Sequence, residues 1–233
     1  MGSHKQLYVV VIGDIQGSKR LTGNHRYQTQ LFIKSSIIQV NEEYHSLIEA
    51  PFTITKGDEF QGLLPNLEVA FQTILALERI TFPVHLRFGI GVGEVLKMGG
   101  RLPIEMDGPA FHRANEALHI AKRKRNWMSL KSHDPQMDLL VNTIFHLIQA
   151  IRSKWNDRHY NLYWKYKDLG TYREVAAEEK VTPQAIGDIL KNCRAVEVKQ
   201  AEENLFRYFR WLNGHIFPYN AQLVGDEEEG IPL

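Results

Sequence analysis

The sequence predicts an α+β protein: a βαββαβ unit of ferredoxin-like order, followed by an all-α part that carries a helix-turn-helix. Three observations lead there. Up to about residue 130, short β-branched or alternating apolar runs alternate with segments of helical periodicity. The polar stretch Ser132-His133-Asp134-Pro135 then interrupts the chain, and beyond it the apolar spacing is helical throughout. Within that second part, two short helical segments with matching caps flank a tight turn. The expected division is a domain over residues 1–133 and a helical domain over 134–233.

Each element has its own signal. Residues 7–12 (LYVVVI) are a continuous apolar run that ends at Gly13-Asp14 and reads as a buried strand. Gly17 and Thr22-Gly23-Asn24 break the chain. Over residues 27–48 apolar side chains recur near helical spacing, and Pro51 is expected to end that helix. Phe52-Thr53-Ile54-Thr55 alternates as a strand, Lys56-Gly57-Asp58 turns, and residues 60–64 return, which makes a hairpin. Residues 67–80 form a second amphipathic helix and residues 84–92 (VHLRFGIGV) a third long strand. Residues 93–106 read as an irregular arm or further hairpin, 109–124 as a third helix and 127–130 as a last strand. Gly89, Gly91 and Gly93 sit on a strand instead of opening a helix, so they are no dinucleotide fingerprint and serve sheet curvature or close packing. After the break, residues 137–155 and 160–167 are helical, followed by three shorter segments to about Leu212.

Composition narrows the class. The chain is 43% hydrophobic and 24% charged, enough for a real core. No apolar run reaches the roughly 18 to 20 residues needed to cross a bilayer. The start MGSHKQ is too short and polar for a secretory signal. The single cysteine, Cys193, excludes an internal disulfide, suits a reducing cytoplasmic setting, and reads as a half-buried helix residue. Net charge is +1, but residues 1–131 hold 16 basic against 12 acidic side chains and residues 132–233 hold 12 against 15. The densest basic run is Lys122-Arg123-Lys124-Arg125, expected to be a solvated helix end or else a phosphate or nucleic-acid patch. Residues 226–229 are an acidic tail.

The chemistry centres on two carboxylates. Asp14 ends the first strand and Asp58 lies in the hairpin turn, so two acidic side chains on adjacent strands can converge on Mg²⁺ or Mn²⁺, hard cations that take oxygen ligands. Gly13 and Gly17 allow close backbone approach, and the amides that follow (Ile15, Gln16, Ser18) suit the phosphates of a nucleotide. Glu59 should point away from Asp58 and be solvated. His85 and His112 read as structural.

Residues 11–18 (VIGDIQGS) resemble the first-strand motif of class III nucleotidyl cyclases. Residues 55–60 (TKGDEF) are similar to their metal hairpin and to the signature of diguanylate cyclases. RFGIGVGE at 87–94 and DGPAF at 107–111 with Ala114 resemble the later cyclase blocks, in the same order. The resemblance implies a palm domain with Asp14 and Asp58 as metal ligands, an NTP or cyclic nucleotide as ligand, and a homodimer. Counting from Gly108, however, the cyclase asparagine and arginine positions hold His112 and Glu116, and a glutamate cannot stabilise a transferring phosphoryl group. Arg113 and Lys56 are the candidate substitutes. The whole chain most resembles the SatD family, bacterial proteins linked to acid tolerance and so to stress response.

Residues 171–194 fit a helix-turn-helix: Thr171 caps with Glu174 three residues on, Val175-Ala176 lies at the helix crossing, Val181 fills the turn, and Thr182-Pro183 opens the second helix. That helix would present Gln184, Lys191, Asn192 and Arg194 to DNA. Residues 171–199 nevertheless carry five basic and five acidic side chains, so they have no electrostatic footprint of their own. Leu205, Phe206, Phe209, Trp211 and Leu212 form an aromatic seam for the core or a dimer. These observations favour a nucleotide- and metal-binding regulator with a helix-turn-helix output. The alternatives are an active nucleotidyl cyclase or nucleotidyltransferase, and a DNA-binding transcription regulator with a structural palm.

Overall fold

The computed structural model describes residues 6–18, 22–97 and 102–216. The polar start, the middle of the expected arm (98–101) and the acidic tail lie outside the described residues. Strand β1 (Tyr8–Ile15) is buried along its whole length. Its side chains divide by parity. Val9, Val11 and Ile15 enter the main apolar cluster, while Tyr8, Val10 and Ile12 enter a second one. Being covered on both faces is why the strand reads as one unbroken apolar run.

Helix α1 (Gly23–Glu43), the hairpin β2 (Ala50–Lys56) and β3 (Glu59–Leu64), α2 (Leu67–Thr81) and β4 (Leu86–Gly93) follow. A two-residue ribbon, β5 (Leu96–Lys97) with β6 (Met106–Asp107), and a 3-10 turn at Pro103–Glu105 replace the irregular arm. Then come α3 (Pro109–Lys124) and β7 (Met128–Lys131). The five-stranded sheet runs β2-β3-β1-β4-β7, antiparallel except for the β4–β7 pair.

One expectation needs correcting and another is met. Pro51 does not end α1, which stops at Glu43; it lies in β2, an edge strand, where a residue without an N–H is tolerated. The glycines of β4 do allow close packing: a Cβ on Gly89 would meet Ala114 O at 2.2 Å and one on Gly91 would meet Ala110 O at 2.1 Å. Helix α3 therefore rests directly on the backbone of β4.

The other sheet edge is closed by side chains of α4 (Pro135–Arg152). Asn142 Oδ1 accepts from Leu130 N at 2.8 Å, and Asn142 Nδ2 donates to Leu130 O at 2.8 Å. One turn earlier Asp138 Oδ1 accepts from Ser132 N at 2.8 Å. These contacts satisfy backbone groups of β7 and of Ser132 just beyond it that an open edge would expose.

Helices α5 (Asp157–Leu169), α6 (Tyr172–Glu179), α7 (Pro183–Asn192) and α8 (Ala195–Ile216) complete the chain. The last of the three expected short segments is thus a 22-residue helix. Its apolar period is interrupted in the sequence by Glu202, which is buried and takes a hydrogen bond from Lys167 Nζ at 2.6 Å. The main cluster runs without a gap from the sheet into α8, where Phe71 of α2 stacks with Phe145 of α4 and meets Phe206 and Phe209. Arg152 and Glu78 form a buried ion pair at 3.1 Å, with the guanidinium 4.6 Å from the centre of the Trp127 ring. Among the described residues no helix is long and apolar enough to cross a membrane.

Candidate functional site

The parity of β1 that buries Val10 and Ile12 under α3 also turns Asp14 to that side, at the sheet end where α3 finishes. Asp14 is only 7% exposed. Its Oδ2 lies 3.0 Å from Lys122 Nζ, and its Oδ1 is buried with no hydrogen-bond partner. The same Lys122 Nζ donates to Glu59 Oε1 at 3.0 Å. Arg87 stands opposite Asp14 in the β1–β4 register and donates through Nε to Asn126 O at 3.1 Å. Asp58 occupies the β2–β3 turn, half-buried.

These charges oppose one another. Burial pushes the Asp14 carboxyl above its ordinary value, while the Lys122 hydrogen bond and the Lys122 and Arg87 charges pull it back and the Asp58 charge adds to the rise. Burial alone would lower the Lys122 ammonium, but its bonds to Asp14 and Glu59 outweigh that and hold it raised. A desolvated carboxylate with one oxygen unmet can take a cation, and the Lys122–Arg87 pair beside it can take an anion.

Glu59 and Lys122 correct two expectations. Glu59 is only partly solvated: in β3 it shares a face with Leu63, which packs under α3, so it turns toward Lys122. Lys122 is not a free helix end, because it continues the i, i+4 row Ala110-Ala114-Leu118 that packs on the sheet. Arg123, Lys124 and Arg125 are exposed. Both signals are present in the sequence, as strand parity and as helix spacing.

The remaining nucleotide candidates scatter. Gly13 faces the opposite side, where a Cβ would lie 2.2 Å from the Phe60 ring, so its small size serves packing. Ile15 is a core side chain. Gln16 extends the β1–β4 ladder, its N donating to His85 O at 2.9 Å and its Nε2 to Leu86 O at 2.6 Å. Gly17 is exposed with φ +74° and Ser18 is half-buried, both just beyond Asp14. Lys56 is exposed at the hairpin end. Arg113 does not reach Asp14 within one chain: its Nη1 donates to Val92 O at 2.7 Å, and it precedes Lys122 by about 13 Å of helix at 1.5 Å per residue. His112 and Glu116 are exposed on α3, where Glu116 lies 3.6 Å from Lys131. His85 is exposed at the surface, with its ring set against those of Phe82 and Tyr160.

In the second part, Thr171 accepts from Glu174 N and Thr182 from Ala185 N, each at 3.2 Å, and Ile186 and Leu190 are buried. Val181 is 40% exposed, so it does not fill the turn. Lys191 and Asn192 are exposed on α7. Gln184 donates to Asp188 at 2.8 Å, and Arg194 falls beyond the helix, paired to Glu197 at 2.9 Å. The aromatic seam divides: Leu205, Phe209 and Leu212 are core, while Trp211 is 56% exposed. Cys193 caps α7, half-buried as expected.

A mixed α+β chain with a carboxylate–lysine cluster at one end of its sheet is the class these features define. The SatD family model matches residues 8–204, and the chain belongs to that family. No curated protein matches. Among solved structures it is similar to a bacterial light-regulated adenylyl cyclase, at 16% identity and a TM-score of 0.39, over 55% of this chain and 44% of that one. The chain thus spans less than half the length of that protein. It is also similar to a regulator of polyketide synthase expression from Bifidobacterium adolescentis, at 14% identity and a TM-score of 0.22, over 88% and 86% of the two chains.

Proposed function

We propose that the chain is a cytoplasmic nucleotide- and divalent-metal-binding regulator, with a ferredoxin-like palm as the binding part and α6–α7 as a helix-turn-helix output. The observation that carries the reading is the buried Asp14 carboxylate, whose Oδ1 has no partner while Oδ2 is held by Lys122. Among the described residues no three His, Cys, Asp or Glu side chains are grouped to hold a metal by themselves. Asp14 and Asp58 would therefore need the phosphates of a nucleotide to complete the shell of a Mg²⁺ or Mn²⁺ ion, the usual manner for Mg²⁺. Bound there, the ion would neutralise phosphate charge. Lys122 and Arg87 would orient the same phosphates, and Lys122 keeps Asp14 neutralised until they arrive.

Binding is favoured over turnover because His112 and Glu116 stand where cyclases keep asparagine and arginine, and both are exposed on α3. The test is product analysis after incubation with each of the four NTPs and Mn²⁺. Metal-dependent retention of a nucleotide without a cyclised product is expected, and brisk formation of a cyclic nucleotide would make the protein an enzyme instead.

A further inference from the structure

Helix α4 has no charged side chain between Asp138 and Arg152. Leu140 and Leu147 on it are 61% and 58% exposed, and Ile144 and Ile151 lie half-buried beside them. The steps from Leu140 through Ile144 and Leu147 to Ile151 are four, three and four residues, which places all four on one seam of the helix. Alongside, Ala201, Asn204 and Glu197 of α8, the last paired to Arg194, line a groove with Ile144, Leu147 and Ile151. Seven residues past Asn204, the exposed Trp211 continues that face of α8.

The seam reads the same in both directions, four-three-four. A second copy related by a two-fold axis, with its α4 antiparallel, would set Leu140 of one chain against Ile151 of the other, and Ile144 against Leu147. Such self-complementarity is what an isologous interface requires. The helix ends agree. Asp134 caps the start of α4 and the exposed Lys154 follows its end, so the antiparallel arrangement brings opposite charges and opposite dipole ends together. We infer that two copies of this chain associate through α4 and α8, burying the Leu140–Ile144–Leu147–Ile151 seam about a two-fold axis.

Light scattering over a concentration series tests this on the full chain, with circular dichroism to check the fold. The wild type should reach twice the 26.9 kDa chain mass. Leu147→Glu and Leu140→Glu, at exposed positions, should give the single-chain mass with an unchanged spectrum. Leu139→Glu is the control: Leu139 is 63% exposed but lies off the seam, so this variant should stay dimeric. A wild type that stays at one chain mass at high micromolar concentration overturns the inference, as does a Leu147→Glu variant that stays dimeric. A chain ended after Ile216 should also dimerise. If only that shortened chain does so, the inference fails for the full chain.

Discussion

At the scale of single residues, several side chains have neighbours that leave them little choice. Gly91 is one. A Cβ there would stand 2.1 Å from Ala110 O, against helix backbone that cannot rotate away. Gly91→Ala should lower stability by about 3 kcal/mol, the upper part of the range for overpacking, and chemical denaturation measures it. His85 is another. Desolvation of the ring beside Phe82 and Tyr160 first, and the Arg152 charge second, hold its imidazole below the ordinary 6.5, although the residue is exposed at the surface. The unfolded chain therefore binds that proton more tightly than the folded one. The contribution of His85 to stability is complete above pH 6.5 and is lost as pH falls from there through its folded value. His85→Phe should flatten the stability–pH curve in that acid window, as denaturant midpoints across a pH series would show. An unchanged slope would refute the assignment.

At the scale of elements, the sequence marks those with one clear period. The strand–helix–hairpin–helix–strand order and the bounds of α3 are read directly, because each element has one apolar face and caps of known type. Elements whose pattern depends on distant partners are misread. The 22 residues of α8 look broken because Glu202 is buried against Lys167, an arrangement visible only once α5 lies alongside. The candidate site divides in the same way. Asp14 and Asp58 stand out as carboxylates at turns, whereas Lys122 was hidden in a basic run and Glu59 behind its neighbour. Edge protection of β7 also depends on a distant partner. Asn142→Leu would leave the N–H and C=O of Leu130 without their partners. A loss of about 2 kcal/mol is expected for buried groups of this kind, with increased aggregation on heating, read by denaturation and static light scattering.

At the scale of the whole molecule, the sheet-bearing part and the helical part share one apolar cluster, with the Arg152–Glu78 pair at their junction. Breaking that pair leaves a buried charge. Arg152→Met should therefore cost about 4 kcal/mol, and because the cluster is continuous, fluorescence and circular dichroism should lose their signals in a single transition. Gln16 and Arg87, which flank the carboxylate, bond to the strand and loop backbone that adjoin His85 and Trp127 beside Arg152. The central claim is that the buried Asp14 carboxylate makes nucleotide binding depend on a divalent metal. It is tested most directly by calorimetric titration of nucleoside triphosphates with and without Mn²⁺, for the wild type and Asp14→Asn. The account predicts that Mn²⁺ tightens binding to the wild type at least tenfold, about 1.4 kcal/mol, and leaves the variant, still folded, unaffected. Equal affinities with and without Mn²⁺ in the wild type would contradict it.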